Sequence, residues 1–147
     1  MKNQNSKILF LFFFADFTIG FLSCRDDIYD PNSLQGNKNE PCITSRYNSY
    51  TFTLDGQNFD YDIIDYTSLK EFQSFLDVKV SNYSAGYVIM TISDSNIYRL
   101  YRRSFNNNTY ILFDTLTGFI PERIALSFRR FTGSFRFAVY NNNYYKN

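Results

Sequence analysis

Histidine and tryptophan are absent from this chain of 147 residues, and cysteine occurs only twice, proline three times and glycine six times. Without histidine the ordinary general base is missing, and so is the residue that most often activates a serine or cysteine nucleophile or binds zinc. No zinc-finger spacing, phosphate-binding P-loop or dinucleotide fingerprint occurs along the chain. A surplus of one charge is lacking too: 15 Lys and Arg face 14 Asp and Glu, whereas binding to nucleic-acid phosphates requires a clear basic excess. These absences remove the commonest catalytic equipment and argue against nucleic acid as a partner, and no metal or cofactor is expected. Two cysteines cannot build the disulfide framework that staples many small secreted domains.

What is abundant is apolar and aromatic, with 44% of residues hydrophobic and 20% aromatic, enough to bury a core in one domain. The first concentration lies at the N-terminus. Lys2 and Lys7 lead into the apolar run Ile8–Ala15, and a second run, Phe17–Leu22, ends at Ser23 and Cys24. That order of parts reads as a secretory signal over residues 1–23. A transmembrane helix needs about 20 apolar residues, and Asp16 interrupts this stretch at a cost of roughly 2.5–3.5 kcal/mol for a charge at a helix centre.

The tetrad Phe21-Leu22-Ser23-Cys24 resembles a bacterial lipobox, with Ser23 as the small residue before the cysteine, although Phe21 and Leu22 depart from the usual types. The resemblance implies that Cys24 is lipidated and becomes the first residue of the mature protein. Two or three acyl chains, palmitate among them, would then hold it on a membrane, where one chain binds only marginally. Arg25-Asp26-Asp27 looks like the acidic tag that sends some Gram-negative lipoproteins to the cell surface. The expected location is therefore the outer membrane, lipid-anchored and surface-exposed, with a periplasm-facing orientation as the alternative. A plain signal peptide with an incidental Cys24 is the blander reading. Assigning Cys24 to lipid leaves Cys42 without an intramolecular partner, an incidental thiol.

Residues 24–46 are polar, carry Pro31, Gly36 and Pro41, and show no apolar period, so they read as a tether with a reach of roughly 25 Å. A β-rich domain is expected over 47–147. Tyr50, Phe52 and Leu54 alternate with threonines, Asp55-Gly56 follows, and Phe59, Tyr61 and Ile63 alternate with Asp60 and Asp62. That pattern predicts a hairpin. Ser68 and Glu71 form a capping box ahead of Leu69, Phe72, Phe75 and Leu76, which predicts a short helix. Beyond it come strands at 86–93, 97–105, 109–114, 123–130 and 134–140, with a shorter one at 78–80. Thr132-Gly133 reads as one of the turns between them. The fold class expected is mainly β, an antiparallel β-sandwich or open barrel of about seven strands with one short helix, connected as a meander.

Two segments carry a resemblance. TFTLDGQNFDYD from Thr51 and FTGSFRFAVYN from Phe131 look like the opening and closing signatures of small, signal-anchored bacterial lipoproteins whose β domain has no known function. The resemblance implies the fold and the location, and brings no activity with it.

Three clusters are candidates for chemistry. Asp55, Asp60, Asp62 and Asp65 could offer calcium ligands or a glycosidase pair, but the ordered calcium loop is missing and a solvated strand face explains them as well. Arg123, Arg129 and Arg136 alternate with Ile124, Phe128 and Phe135 and could form an anion-binding or partner-binding patch, or pair across strands with the acidic hairpin. Tyr140, Tyr144 and Tyr145 could stack on a sugar. The function expected is a non-catalytic binding or structural module with a protein or glycan partner. The alternatives are an inhibitor or accessory subunit docking an enzyme or outer-membrane transporter, and a carboxylate-dependent glycan hydrolase.

Overall fold

The computed structural model describes residues 37–141. They form a single six-stranded antiparallel sheet: β1 Cys42–Arg46, β2 Ser49–Tyr66, β3 Gln73–Ser93, β4 Leu100–Phe105, β5 Thr109–Thr117 and β6 Arg123–Asn141. The mainly β class is as the alternating pattern implies. The strands run in the order β1-β2-β6-β3-β4, with β5 also on β3, so β6 is inserted between β2 and β3 and the connection is not a meander.

Three strands are far longer than the usual five or six residues: β2 has 18, β3 has 21 and β6 has 19. None of them is straight. Phe128 and Phe135 lie seven positions apart on β6, about 23 Å in an extended strand, yet their ring centroids are 5.6 Å apart. The Tyr50 hydroxyl donates to Asp65 at 2.9 Å, although 15 positions of extended strand would separate them by about 50 Å. Each long strand therefore doubles back over itself. The bends coincide with the interruptions in pairing, between Gly56 and Tyr61 on β2 and between Ser81 and Tyr87 on β3. Left-handed backbone falls at the same level, at Asn58, Asn82, Gly86, Arg130 and Gly133. On the fourth arm the break is complete: β4 pairs with Val88–Ser93 and β5 with Gln73–Val80 of the same β3 edge.

One crease thus turns a single sheet into two facing layers. The first holds β1, β2 to Gly56, β6 from Gly133, β3 to Ser81, and β5. The second holds β2 from Phe59, β6 to Phe131, β3 from Ala85, and β4. Strands that change layer through bulges are the known way to make a corner between packed sheets. At this corner Gly56 and Gly133 face one another, and a Cβ on Gly56 would lie 2.9 Å from the Phe131 ring. The crease needs a residue without a side chain there.

Between the layers lies an aromatic core. Phe52 stacks on Phe128 at 5.9 Å, Phe128 meets Phe131 and Phe135 edge-on, and Phe105 approaches Phe135 at 5.6 Å. Val78, Val88, Met90, Ile92, Ile124 and Leu126 fill the spaces between rings. At the open end two loops cross from one layer to the other, residues 67–72 and 118–122. They are tied together by Thr67 N–H to the Glu122 carbonyl at 2.9 Å and Gly118 N–H to the Phe72 carbonyl at 3.0 Å. Leu69 and Phe119, one from each loop, are buried beneath them.

Five further expectations are corrected. The helix at Ser68–Leu76 does not form, and no residue among those described is helical. Ser74, Leu76, Val78 and Val80 are buried in period two, and β3 gains hydrogen bonds on both edges, which a two-turn helix with its costly nucleus cannot match. The Asp55-Gly56 and Thr132-Gly133 turns are corners inside continuous strands, because both halves of β2 pair with β6 rather than with each other. Thr132-Gly133 therefore joins the segments read as two strands into one β6. Cys42 is not a free thiol but disulfide-bonded, and its segment, read as tether, is strand β1 against Ser49–Thr53.

Candidate functional site

With the interior filled by rings, the chemistry available to a partner lies on the outer faces and edges of the two layers. On the second layer the residues opposite the core side form cross-strand rows: Tyr66, Arg123, the buried Ser93 and Leu100; then Ile64, Ala125, Thr91 and Arg102; then Asp62, Ser127, Ile89 and Ser104. Ile64 is 59% exposed, Tyr66 65% and Leu100 51%. Single exposed apolar side chains are ordinary, but grouped with arginine and tyrosine on one face they have the composition that interfaces enrich.

The acidic residues are already engaged. Asp62 receives the Arg129 guanidinium at 2.9 Å and the Ser127 hydroxyl. The Arg129 hydrogen bond, followed by that of Ser127, holds the Asp62 carboxyl below its usual range, which suits a fixed anion and not a general acid. Asp60 accepts the backbone N–H of Arg130 at 2.9 Å and so braces the crease. Asp65 accepts from the Tyr50 hydroxyl, and burial with that hydrogen bond pushes the tyrosine well above its normal range. On the other flank Tyr101 donates to Asp114 at 2.8 Å, and Arg103 reaches the same carboxylate at 3.5 Å. Among the described residues no three of His, Cys, Asp and Glu converge as metal ligands.

The three arginines are divided by the crease. Arg123 and Arg129 stand on the outer face of the second layer, Arg129 in its ion pair with Asp62. Arg136, past the bend, stands on the outer face of the first layer opposite Thr53 and Lys79, with 9% exposure. The alternation read from sequence is correct strand by strand, but the face it defines turns over with the strand. Tyr140 is buried against Phe75 with centroids 5.9 Å apart, so it offers no sugar platform. Tyr144 and Tyr145 lie outside the described residues, as do Cys24, Arg25, Asp26, Asp27 and the signal.

One arginine that does stand free belongs to the arginine-rich later strands but was not singled out from the sequence. The Arg102 side chain makes no hydrogen bond or ion pair among the described residues and is exposed on strand β4. Its signal was the run Arg99-Leu100-Tyr101-Arg102-Arg103 with no acid in it. No protein-family model, curated protein sequence or solved structure matches this chain. No helix among the described residues is long and apolar enough to cross a membrane.

Proposed function

We propose that this chain is a lipid-anchored, non-catalytic binding module, held at the outer membrane through Cys24 and displayed at the cell surface. The order of charged, apolar and small residues ending at Cys24 supports the anchor, and Arg25-Asp26-Asp27 supports the display. The single observation that carries the binding role is the outer face of the second layer, where Ile64, Tyr66 and Leu100 stand in solvent beside Arg102 and Arg123. A mixed aromatic, aliphatic and arginine surface on a flat sheet suits a protein partner.

The disulfide sets a condition on this reading. Cys42 is disulfide-bonded, and the chain has one further cysteine; an intrachain bridge would consume the Cys24 sulfur that the lipid requires. A sulfur bound in a disulfide has no thiolate to alkylate. The anchored species is the one in which lipid transfer reaches Cys24 first. Intact-mass and peptide spectrometry on protein from membranes tests it: a diacylglyceryl adduct at Cys24, palmitate label lost in Cys24→Ala, and cleavage of the displayed domain by protease added to whole cells are expected. A Cys24–Cys42 peptide with no lipid-modified form would refute the anchor.

A further inference from the structure

The second layer is an open four-stranded sheet, and its two edges carry opposite charge. At one edge, β2 from Phe59 to Tyr66 has β6 on one side and, among the described residues, no strand on the other, because β1 pairs with β2 only from Ser49 to Thr53. This edge contains Asp60, Asp62 and Asp65 and no base. At the other edge β4 pairs, among the described residues, with β3 alone, and β4 together with the residue before it contains Arg99, Arg102 and Arg103 and no acid. Neither edge contains proline, the usual block to adding a strand. Asp60, Asp62, Ile64, Tyr66, Arg102, Arg103 and Ser104 are exposed, so both edges stand open.

We infer that copies of this chain associate edge to edge, β4 of one against β2 of the next, extending the second layer into a continuous antiparallel sheet. Strand direction permits it. Along β2, β6, β3 and β4 the direction alternates, so the strand that follows β4 must run as β2 does, and a second copy set beside the first presents β2 in that sense. Length permits it too, since Phe59–Tyr66 can span the six residues of β4. Charge selects it. A β2–β2 pairing would set Asp60, Asp62 and Asp65 against their own kind, and a β4–β4 pairing Arg102 and Arg103 against theirs, both unfavourable when directly opposed. Edge charges are the ordinary guard against such contacts; here they block the two like pairings and leave the mixed one unopposed. The contact is head-to-tail and has no closing symmetry, so it builds open chains rather than a dimer. A strip one strand wide falls below the area of a stable interface, so the association is weak and reversible. It does not depend on the lipid anchor.

The test is sedimentation velocity on the full chain in a mild non-ionic detergent over a concentration series. Two variants reverse the net sign of one edge each: Arg102→Glu with Arg103→Glu, and Asp60→Lys with Ile64→Lys and Tyr66→Lys, the second leaving the Asp62–Arg129 pair intact. Far-UV circular dichroism verifies that both keep their strands. The unaltered chain is expected to rise at least about twofold in average mass with concentration, and the rise should shrink several-fold when salt is raised from about 0.05 to about 0.5 M. Each variant alone has two edges of one sign and is expected to stay monomeric, while an equimolar mixture of the two regains association. The apolar N-terminus is common to every sample and cannot produce that pattern. A monomeric unaltered chain, variants that associate as well as it does, or a mixture that stays monomeric would each overturn the inference, the last pointing to a different protein as the occupant of these edges.

Discussion

Replacing Gly86 with alanine tests the crease on which the two layers depend. Gly86 sits at φ +78°, and a Cβ placed there would lie 2.3 Å from the carbonyl oxygens of both Arg129 and Arg130. Two costs add. The left-handed backbone costs an L-residue about 1–2 kcal/mol. Relieving the clash means displacing the main chain of β6 at its own bend, since the obstructing atoms are backbone, and overpacking of that kind costs about 1–3 kcal/mol. The expected loss is about 2–5 kcal/mol, a large part of the roughly 5–15 kcal/mol that holds a domain folded. Gly118 supplies the control. Its φ is +82°, nearly the same, but the nearest atom to a Cβ is the Arg99 guanidinium at 3.1 Å, the far end of a flexible side chain. Gly118→Ala should therefore lose only the conformational part, about 1–2 kcal/mol. Urea unfolding followed by circular dichroism measures both, and at a slope of about 1–3 kcal/mol per molar the Gly86 variant should unfold at a midpoint about 1–3 M lower. Equal losses in the two variants would refute the claim that close packing at the crease, rather than backbone sign alone, requires glycine there.

Two further outcomes follow from the same geometry. Tyr50→Phe removes the hydroxyl that joins the first layer to Asp65 on the second, and should cost about 1.5–3 kcal/mol, the range for a hydrogen bond to a charged group, measured by urea unfolding at neutral pH. The same hydroxyl makes the fold sensitive to alkali: because burial raises the folded value of Tyr50 above its unfolded 10.0, the folded state holds a proton that the unfolded state releases. Stability from this group is present below about pH 10 and falls above it by at most about 1.4 kcal/mol per pH unit, a slope that Tyr50→Phe should reduce. Phe128 touches Phe52, Phe59, Phe131 and Phe135, so Phe128→Ala should lose about 3–5 kcal/mol and Phe128→Leu markedly less; similar losses for the two would show that the ring contacts, and not the volume filled, carry the stability.

The strand content was legible because it rests on a local rule. Tyr50, Phe52 and Leu54, then Ile124, Leu126 and Phe128, are buried at every second position, and period two reports that directly. The order of strands was not legible, because nothing local says that β6 enters between β2 and β3. The helix at Ser68 failed for a related reason: its apolar spacing also fits a strand for Leu76 onward, and the hydrogen bonds that decide between them come from β5 and β6, distant in sequence. Among the candidate site residues, the pairing of Arg129 with Asp62 was legible as a cross-strand alternative. The separation of Arg123 from Arg136 was not, since it depends on a bend seven to ten residues further along. Cys42 was misread because its partner chemistry was argued from Cys24 alone.

The glycines explain why a strong turn signal misled twice. An Asp-Gly hairpin needs the left-handed freedom of its glycine, but the left-handed residue near Asp55-Gly56 is Asn58, at φ 48°, and Gly56 itself is not among the residues of positive φ. What Gly56 supplies is space, for the ring of Phe131 and for the facing Gly133. Gly133 does have a positive φ, 150°, yet β6 runs on through it. Positive φ at a glycine does not by itself end a strand, since Gly86 and Gly133 both lie inside continuous strands, and close approach at Gly56 and Gly133 lets β2 and β6 cross the crease together. In this chain the close approach falls at matching positions on β2 and β6, and that coincidence folds one sheet into two layers while leaving the acidic and basic edges of the second layer, among the described residues, without a further strand.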